Sequence, residues 1–232
     1  MISGNSYSRA GNAGKSRSVT SNQAGVHKKL AGLVQKYSGT RSKRPLSTHS
    51  LRNFEAVLAR ADGRNLIFDS GCGTGMSTGI LARRNPYAFV VGIDKSAKRL
   101  AAKGNLSTLT REENLMLLRA DLVDFLRAAS RHGARLEKHY FLYPNPWPKS
   151  CHVQRRWHAS PVFREILELG GAIELRTNWA TYAEEFSLAL KIAGIESTMA
   201  PLEIEHGQAL TPFERKYHAS GQTLWQLLAP NQ

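Results

Sequence analysis

From Asn65 to Leu228 the chain alternates between two kinds of pattern. Short apolar runs, "NLIFDS" (Asn65 to Ser70), "AFVVGID" (Ala88 to Asp94), "NLMLLRAD" (Asn114 to Asp121), "HYFLY" (His139 to Tyr143) and "AIELRTN" (Ala172 to Asn178), read as strands buried on both faces. Between them lie segments with helical spacing. "TYAEEFSLALKIAG" places Tyr182, Phe186 and Leu190 four apart on one face and stops at Gly194, a residue suited to the position after a helix. "QTLWQLL" (Gln222 to Leu228) reads as a last strand. Strand and helix in alternation imply right-handed crossovers, hence an α/β fold with a doubly wound, mostly parallel sheet and helices on both faces.

The first 50 residues break this rhythm. They hold nine Lys or Arg and no acid, the first being Glu55, so nine of the fourteen excess positive charges fall there. The segment is rich in Ser, Gly and Asn, and residues 1–50 are expected to form a basic, largely disordered arm before one domain at 51–232. Such an arm suits a polyanion such as RNA, although a solvated tail or a transit peptide shares its look. Two cysteines, Cys72 and Cys151, point to no disulfide framework and favour the cytoplasm. The apolar runs are too short to span a bilayer, no signal-peptide core follows Met1, and the eight histidines form no metal-ligand pattern.

Chemistry is expected at two places. "DSGCGTG" (Asp69 to Gly75) ends the first strand and leads into a helix, where Gly71, Gly73 and Gly75 let the backbone approach a ligand. Asp94 closes the second strand at the distance where an acid binds ribose hydroxyls. Met76 occupies the third glycine position of a dinucleotide fingerprint, and no lysine follows as in a phosphate-binding P-loop. Asp69 suits a ligand carrying cationic groups, so S-adenosylmethionine is favoured over NAD. "GMSTG" (Gly75 to Gly79) matches a hydrolase elbow, but Ser77 is eight residues past Asp69 and belongs inside the helix. Asp121 reads as a helix N-cap for "LVDFLRAAS" that can also touch adenine. The second place is "YPNPWPK" (Tyr143 to Lys149), a rigid three-proline corner at a strand's C-terminal end.

In this order the motifs resemble the bacterial tRNA (guanine-N7)-methyltransferase family over about residues 65–232. The marks are "DSGCGTG", "GID" (Gly92 to Asp94), "LRAD" (Leu118 to Asp121), "YPNPWPK" with "HVQRRW", "RTNWATYAEEF" (Arg176 to Phe186) and "TPFERKYHASGQTLWQL" (Thr211 to Leu227). The resemblance implies a class I methyltransferase sheet with S-adenosylmethionine held by Asp69, the glycine loop, Asp94 and Asp121. It also implies a guanine pocket built from the corner, Lys149, Asn178, Thr211, Phe213 and Glu214. Two acids of that family are absent, Asn145 and Asn178 standing in their places, and Cys151 replaces an arginine. Guanine N7 has no proton to remove, so Asn145 is the candidate catalytic residue through hydrogen bonding alone. Arg155 and Arg156, next to Lys149, read as phosphate contacts, and Trp147 and Trp157 more readily as core residues than as base-stacking ones.

The leading expectation is an enzyme methylating guanine N7 in tRNA, as a monomer or a homodimer. A methyltransferase of the same fold acting on a small nitrogen heterocycle is the alternative that the changed acids suggest. A non-enzymatic RNA-binding module is opposed by the intact Asp69 and Asp94.

Overall fold

The computed structural model describes residues 16–101, 114–205 and 207–231. Seven strands form one sheet: β1 (Leu66–Ser70), β2 (Phe89–Asp94), β3 (Leu115–Arg119), β4 (Leu136–Leu142), β5 (Ala172–Thr177), β6 (Thr198–Pro201) and β7 (Trp225–Ala229). Their order is β3-β2-β1-β4-β5-β7-β6. The first five run parallel, and β7 is antiparallel to both its neighbours. Strand order reverses between β1 and β4, and such a switch point opens a crevice at the strands' carboxyl ends. The two chemical motifs, at the ends of β1 and β4, therefore meet.

β1 and β2 are buried at every position, as their unbroken apolar runs require. β3 is more open: Met116 and Leu117 are half-buried and Arg119 exposed, because β3 is an edge strand. β6, whose residues are mostly exposed, lies at the other edge and carries no apolar run that could announce it.

The helices among the described residues, in chain order, are α1 (Leu30–Ser38), α2 (Thr48–Ala61), α3 (Met76–Arg84), α4 (Ala97–Leu100), α5 (Leu122–Arg131), α6 (Phe163–Leu169), α7 (Ala180–Ile192) and α8 (Pro212–Ala219). Tyr182, Phe186 and Leu190 of α7 are all 0% exposed, and Gly194 follows with φ +81. Two 3₁₀ segments, Ser150–Arg155 and Trp157–Ala159, carry the chain from the corner to α6.

The disordered-arm expectation fails for residues 16–50. Leu30 and Val34 of α1 are buried and join the main core, and α2 is capped by the Ser47 side chain. Amphipathic spacing inside a polar, basic segment was enough to bury one helix face. Residues 1–15 lie outside the described residues.

Candidate active site

The loop after β1 is drawn over the end of β2. The amides of Gly71 and Cys72 donate to the Ile93 carbonyl at 2.8 and 3.1 Å, and the Gly73 amide donates to Asp94 Oδ2 at 3.0 Å. Gly71 and Gly73 have φ of +88 and +61, and a Cβ on either would meet nothing within 4 Å. Backbone handedness, not crowding, is what demands glycine there. Gly75, φ +80, is the turn into α3. Asp94 Oδ1 accepts from the Ser96 amide at 2.8 Å and pairs with Arg99 at 2.9 Å.

Asp69 departs from expectation. It is 1% exposed, and its Oδ2 accepts from the hydroxyls of Ser77 and Thr78 at 2.6 and 2.7 Å. Burial pushes its carboxyl up to about 6, against the pull of those two hydroxyls. It therefore braces the start of α3 from below and does not line the cavity. Ser77, inside α3 and bonded to this carboxylate, is not placed as a hydrolase nucleophile.

The corner is under backbone strain at two points. Tyr143 (φ 53) and Trp147 (φ 45) are two of three non-glycine residues with positive φ among the described residues. Several contacts hold it. The Tyr143 amide donates to the Arg176 carbonyl at 2.8 Å, and the Ser21 hydroxyl donates to the Pro148 carbonyl at 2.5 Å. Arg156 donates from Nε and Nη2 to the Trp147 carbonyl at 3.3 and 3.0 Å. Within the corner, Asn145 Oδ1 accepts from the Trp147 amide at 3.3 Å.

Arg156 is thus not a phosphate contact. Its side chain is 0% exposed and pairs with Glu185 Oε2 at 2.5 Å, which also meets His158 Nε2 at 2.9 Å. Gln23 completes the knot, donating to Glu185 Oε1 at 2.5 Å while its own Oε1 accepts from Arg156 at 3.2 Å. A buried guanidinium needs a carboxylate partner, and Glu185, between the apolar positions of α7, was the sign available in the sequence. Arg155, the neighbour, is exposed and lies over the Trp147 ring at 4.6 Å.

Between loop and corner is a cavity of about 530 Å³, a volume in the range of small-molecule sites. One end is lined by Ser70, Gly71, Asp94, Lys95, Arg99, Asp121 and Leu122, and the other by Tyr143 to Trp147, Arg155, Trp157, Asn178, Phe213 and Tyr217. Asp121 caps α5 through the Asp124 amide at 3.2 Å, as its position before "LVDFLRAAS" indicated. Trp157 packs near Phe141, 6.0 Å between centroids, and also lines the cavity. Lys149, exposed, stands just outside at the start of the first 3₁₀ segment.

The "TPFERKY" stretch is split by its helix. Thr211 caps α8 through the Glu214 amide at 3.0 Å. Glu214 is 0% exposed, pairs with Arg176 at 2.9 Å and is not among the residues lining the cavity, so it stands behind the wall and not at the base-binding position expected. Phe213 and Tyr217, one turn apart, face it as a stacked pair 6.1 Å between centroids. Their four-residue spacing was the available signal for Tyr217.

A switch-point crevice carrying a glycine loop, two carboxylates and an aromatic corner defines a class I S-adenosylmethionine-dependent methyltransferase. The sequence comparisons agree: the model of the family described as "Putative methyltransferase" matches residues 63–227, and the chain belongs to that family. A relative from Ectopseudomonas mendocina, named tRNA (guanine-N(7)-)-methyltransferase, is 28% identical over 76% of each chain. One of the same name from Treponema pallidum is 29% identical over 75% of this chain and 70% of its own. These names do not favour the small-heterocycle alternative. Among solved structures, the 16S rRNA methyltransferase KamB aligns with TM-score 0.54 at 20% identity, over 83% of this chain and 99% of its own. An antibiotic-related methyltransferase aligns with TM-score 0.56 at 15% identity, over 82% and 97%, a likeness of fold.

The residues at the loop end fit S-adenosylmethionine. Asp94 and Asp121 supply acceptors at the cavity rim, and Gly71 leaves open space where a side chain would stand. Among the described residues no cluster of three or more His, Cys, Asp or Glu could hold a metal, and no helix is long and apolar enough to cross a membrane.

Proposed function

We propose that this protein methylates N7 of a guanine in tRNA. The observation that carries the reading is one continuous cavity, with Gly71, Asp94 and Asp121 at one end and the strained corner at the other. The names of the relatives supply the nucleotide.

S-adenosylmethionine, when bound, supplies an electrophilic methyl on a sulfonium. Asp94 would accept from the ribose hydroxyls and Asp121 would sit beside the adenine, while Asp69 contributes through α3, whose first turn it braces. Guanine N7 presents a lone pair and no proton, so no side chain has to act as a base. The task left to the corner is orientation and exclusion of water. Pro144, Pro146 and Trp147 form a stiff wall, Phe213 and Tyr217 offer aromatic faces for a base, and Asn145 supplies polar contact to the ring. Arg155, Lys149 and the basic N-terminal segment would take the phosphates, with the cytoplasm as the compartment where such a substrate is found.

The test is nucleoside mass spectrometry of tRNA incubated with the protein and S-adenosylmethionine. A rise in 7-methylguanosine is expected. Methylation of a different nucleoside, or of none, would overturn the reading.

A further inference from the structure

Behind the base end of the cavity runs a chain of hydrogen bonds whose direction is set at its far end. Gln222, between α8 and β7, donates from Nε2 to the backbone carbonyl of Ser16 at 2.9 Å. Its Oε1 accepts from Nδ2 of Asn178 at 2.8 Å. Ser16 is itself held in place, its amide donating to Ser220 Oγ at 3.0 Å. A backbone carbonyl can only accept, so Gln222 must turn its NH₂ toward Ser16 and its oxygen toward Asn178. That oxygen in turn can only accept, so Asn178 must spend its NH₂ on it. Asn178 Oδ1 accepts no hydrogen bond among the described residues and remains at the cavity wall.

We propose that the Ser16 carbonyl and Gln222 form a polarity relay that presents Asn178 to the substrate as an acceptor, and so select a base whose ring N1 carries a hydrogen. The proposal rests on the tRNA-guanine reading above. A side-chain amide can present either an acceptor or a donor, and the relay fixes which of the two faces the cavity. Without it, the Asn178 amide could turn over and serve an acceptor edge equally well. Gln222 and Ser16 are positioning residues. Neither is among the residues lining the cavity.

The test compares two tRNA transcripts in the full chain. One carries guanosine at the methylated position, and the other 2-aminopurine riboside, whose ring N1 is an acceptor where guanine has N–H. The readout is the ratio of kcat/KM for the two, with calorimetric binding of S-adenosylmethionine as the check on folding. Wild type should favour guanosine. Gln222→Met, similar in length but with no strong polar partner, should lower that preference at least about tenfold, because a site built for a donor normally rejects its absence strongly. Gln222→Glu still accepts from Asn178 and should keep the preference within about twofold. Should the Met variant fail to bind S-adenosylmethionine, Gln222→Lys, which offers only donors, should produce the same loss. The intrinsic difference in N7 reactivity cancels between proteins. A preference unchanged in the Met or Lys variant overturns the relay, even if both rates fall together, and so does an equal loss in Gln222→Glu. A wild type that methylates neither transcript removes the tRNA-guanine reading and the relay with it, and is told apart because wild type itself is silent.

Discussion

Asn145 sits at the strained corner with Oδ1 already accepting from the Trp147 amide. A carboxylate could keep that bond, so Asn145→Asp should leave the corner in shape and add negative charge where N7 methylation makes the ring cationic. The expected result is a transfer rate to tRNA equal to or above wild type, since enzymes gain much of their rate by stabilising charge as it develops. Asn145→Ala should lose most transfer, roughly 1–3 kcal/mol, with little change in S-adenosylmethionine affinity; single-turnover kinetics measures both. Asp69 gives a second test. Its carboxyl titrates at about 6 in the folded chain against 3.8 ordinarily, so the folded state holds a proton that the unfolded chain has released. The stabilisation is complete below about 3.8 and is lost as the pH rises through 6. Asp69→Asn keeps an acceptor for Ser77 and Thr78 and has nothing to ionise. Its urea midpoint should therefore gain on wild type between about pH 4 and pH 7.5, by up to roughly 3 kcal/mol in stability. Equal midpoints at both pH values would show that Asp69 does not ionise under strain.

At the scale of elements, the N-terminal segment, the corner and α7 are joined at one buried knot. Arg156, His158 and Glu185 are all 0% exposed, and Gln23 closes the circle. Burial alone would raise the Glu185 carboxyl, but His158 and Arg156 outweigh it and hold the group well below the usual carboxylate range. Replacing Arg156 by Met leaves Glu185 with reduced compensation and frees the Trp147 carbonyl. A loss of about 3–5 kcal/mol is expected in chemical denaturation. Catalysis should fall further than folding alone explains, because the corner loses its brace; S-adenosylmethionine affinity, set at the other end of the cavity, should fall less. Unchanged stability would mean that the pair contributes no more than apolar packing.

At the scale of the whole molecule, charge is the dominant feature. Arg41 and Arg44 are tied to Glu168 and Asp124, whereas Arg17, Lys28 and Lys29 are exposed on a segment that is folded against the domain. Changing these three to Gln should weaken tRNA binding and flatten the dependence of log K on log salt by about 0.7–0.9 for each phosphate no longer neutralised. S-adenosylmethionine affinity should stay the same. An unchanged slope would assign the phosphates to Lys149, Arg155 and other cations of the domain.

The chain's local patterns decided the class of fold and the places where chemistry gathers. Short apolar runs bounded by turn residues read as strands of a largely covered sheet, the glycine loop and proline corner each follow such a strand, and a parallel sheet brings strand ends of one direction to one edge. Which side chains face the cavity was decided by tertiary packing. Neighbours in sequence parted company: Arg155 reaches the cavity while Arg156 is locked to Glu185, and Phe213 faces it while Glu214 turns to Arg176. Residues 16–50 followed the same logic. Their composition reads as a solvated arm, but Leu30 and Val34 find an apolar surface, and Gln23 a buried ion pair, that exist only once the domain has folded. A charged or polar residue reveals its role through its partner, and in this chain partners such as Gln23 and Glu185 are separated by more than 150 residues.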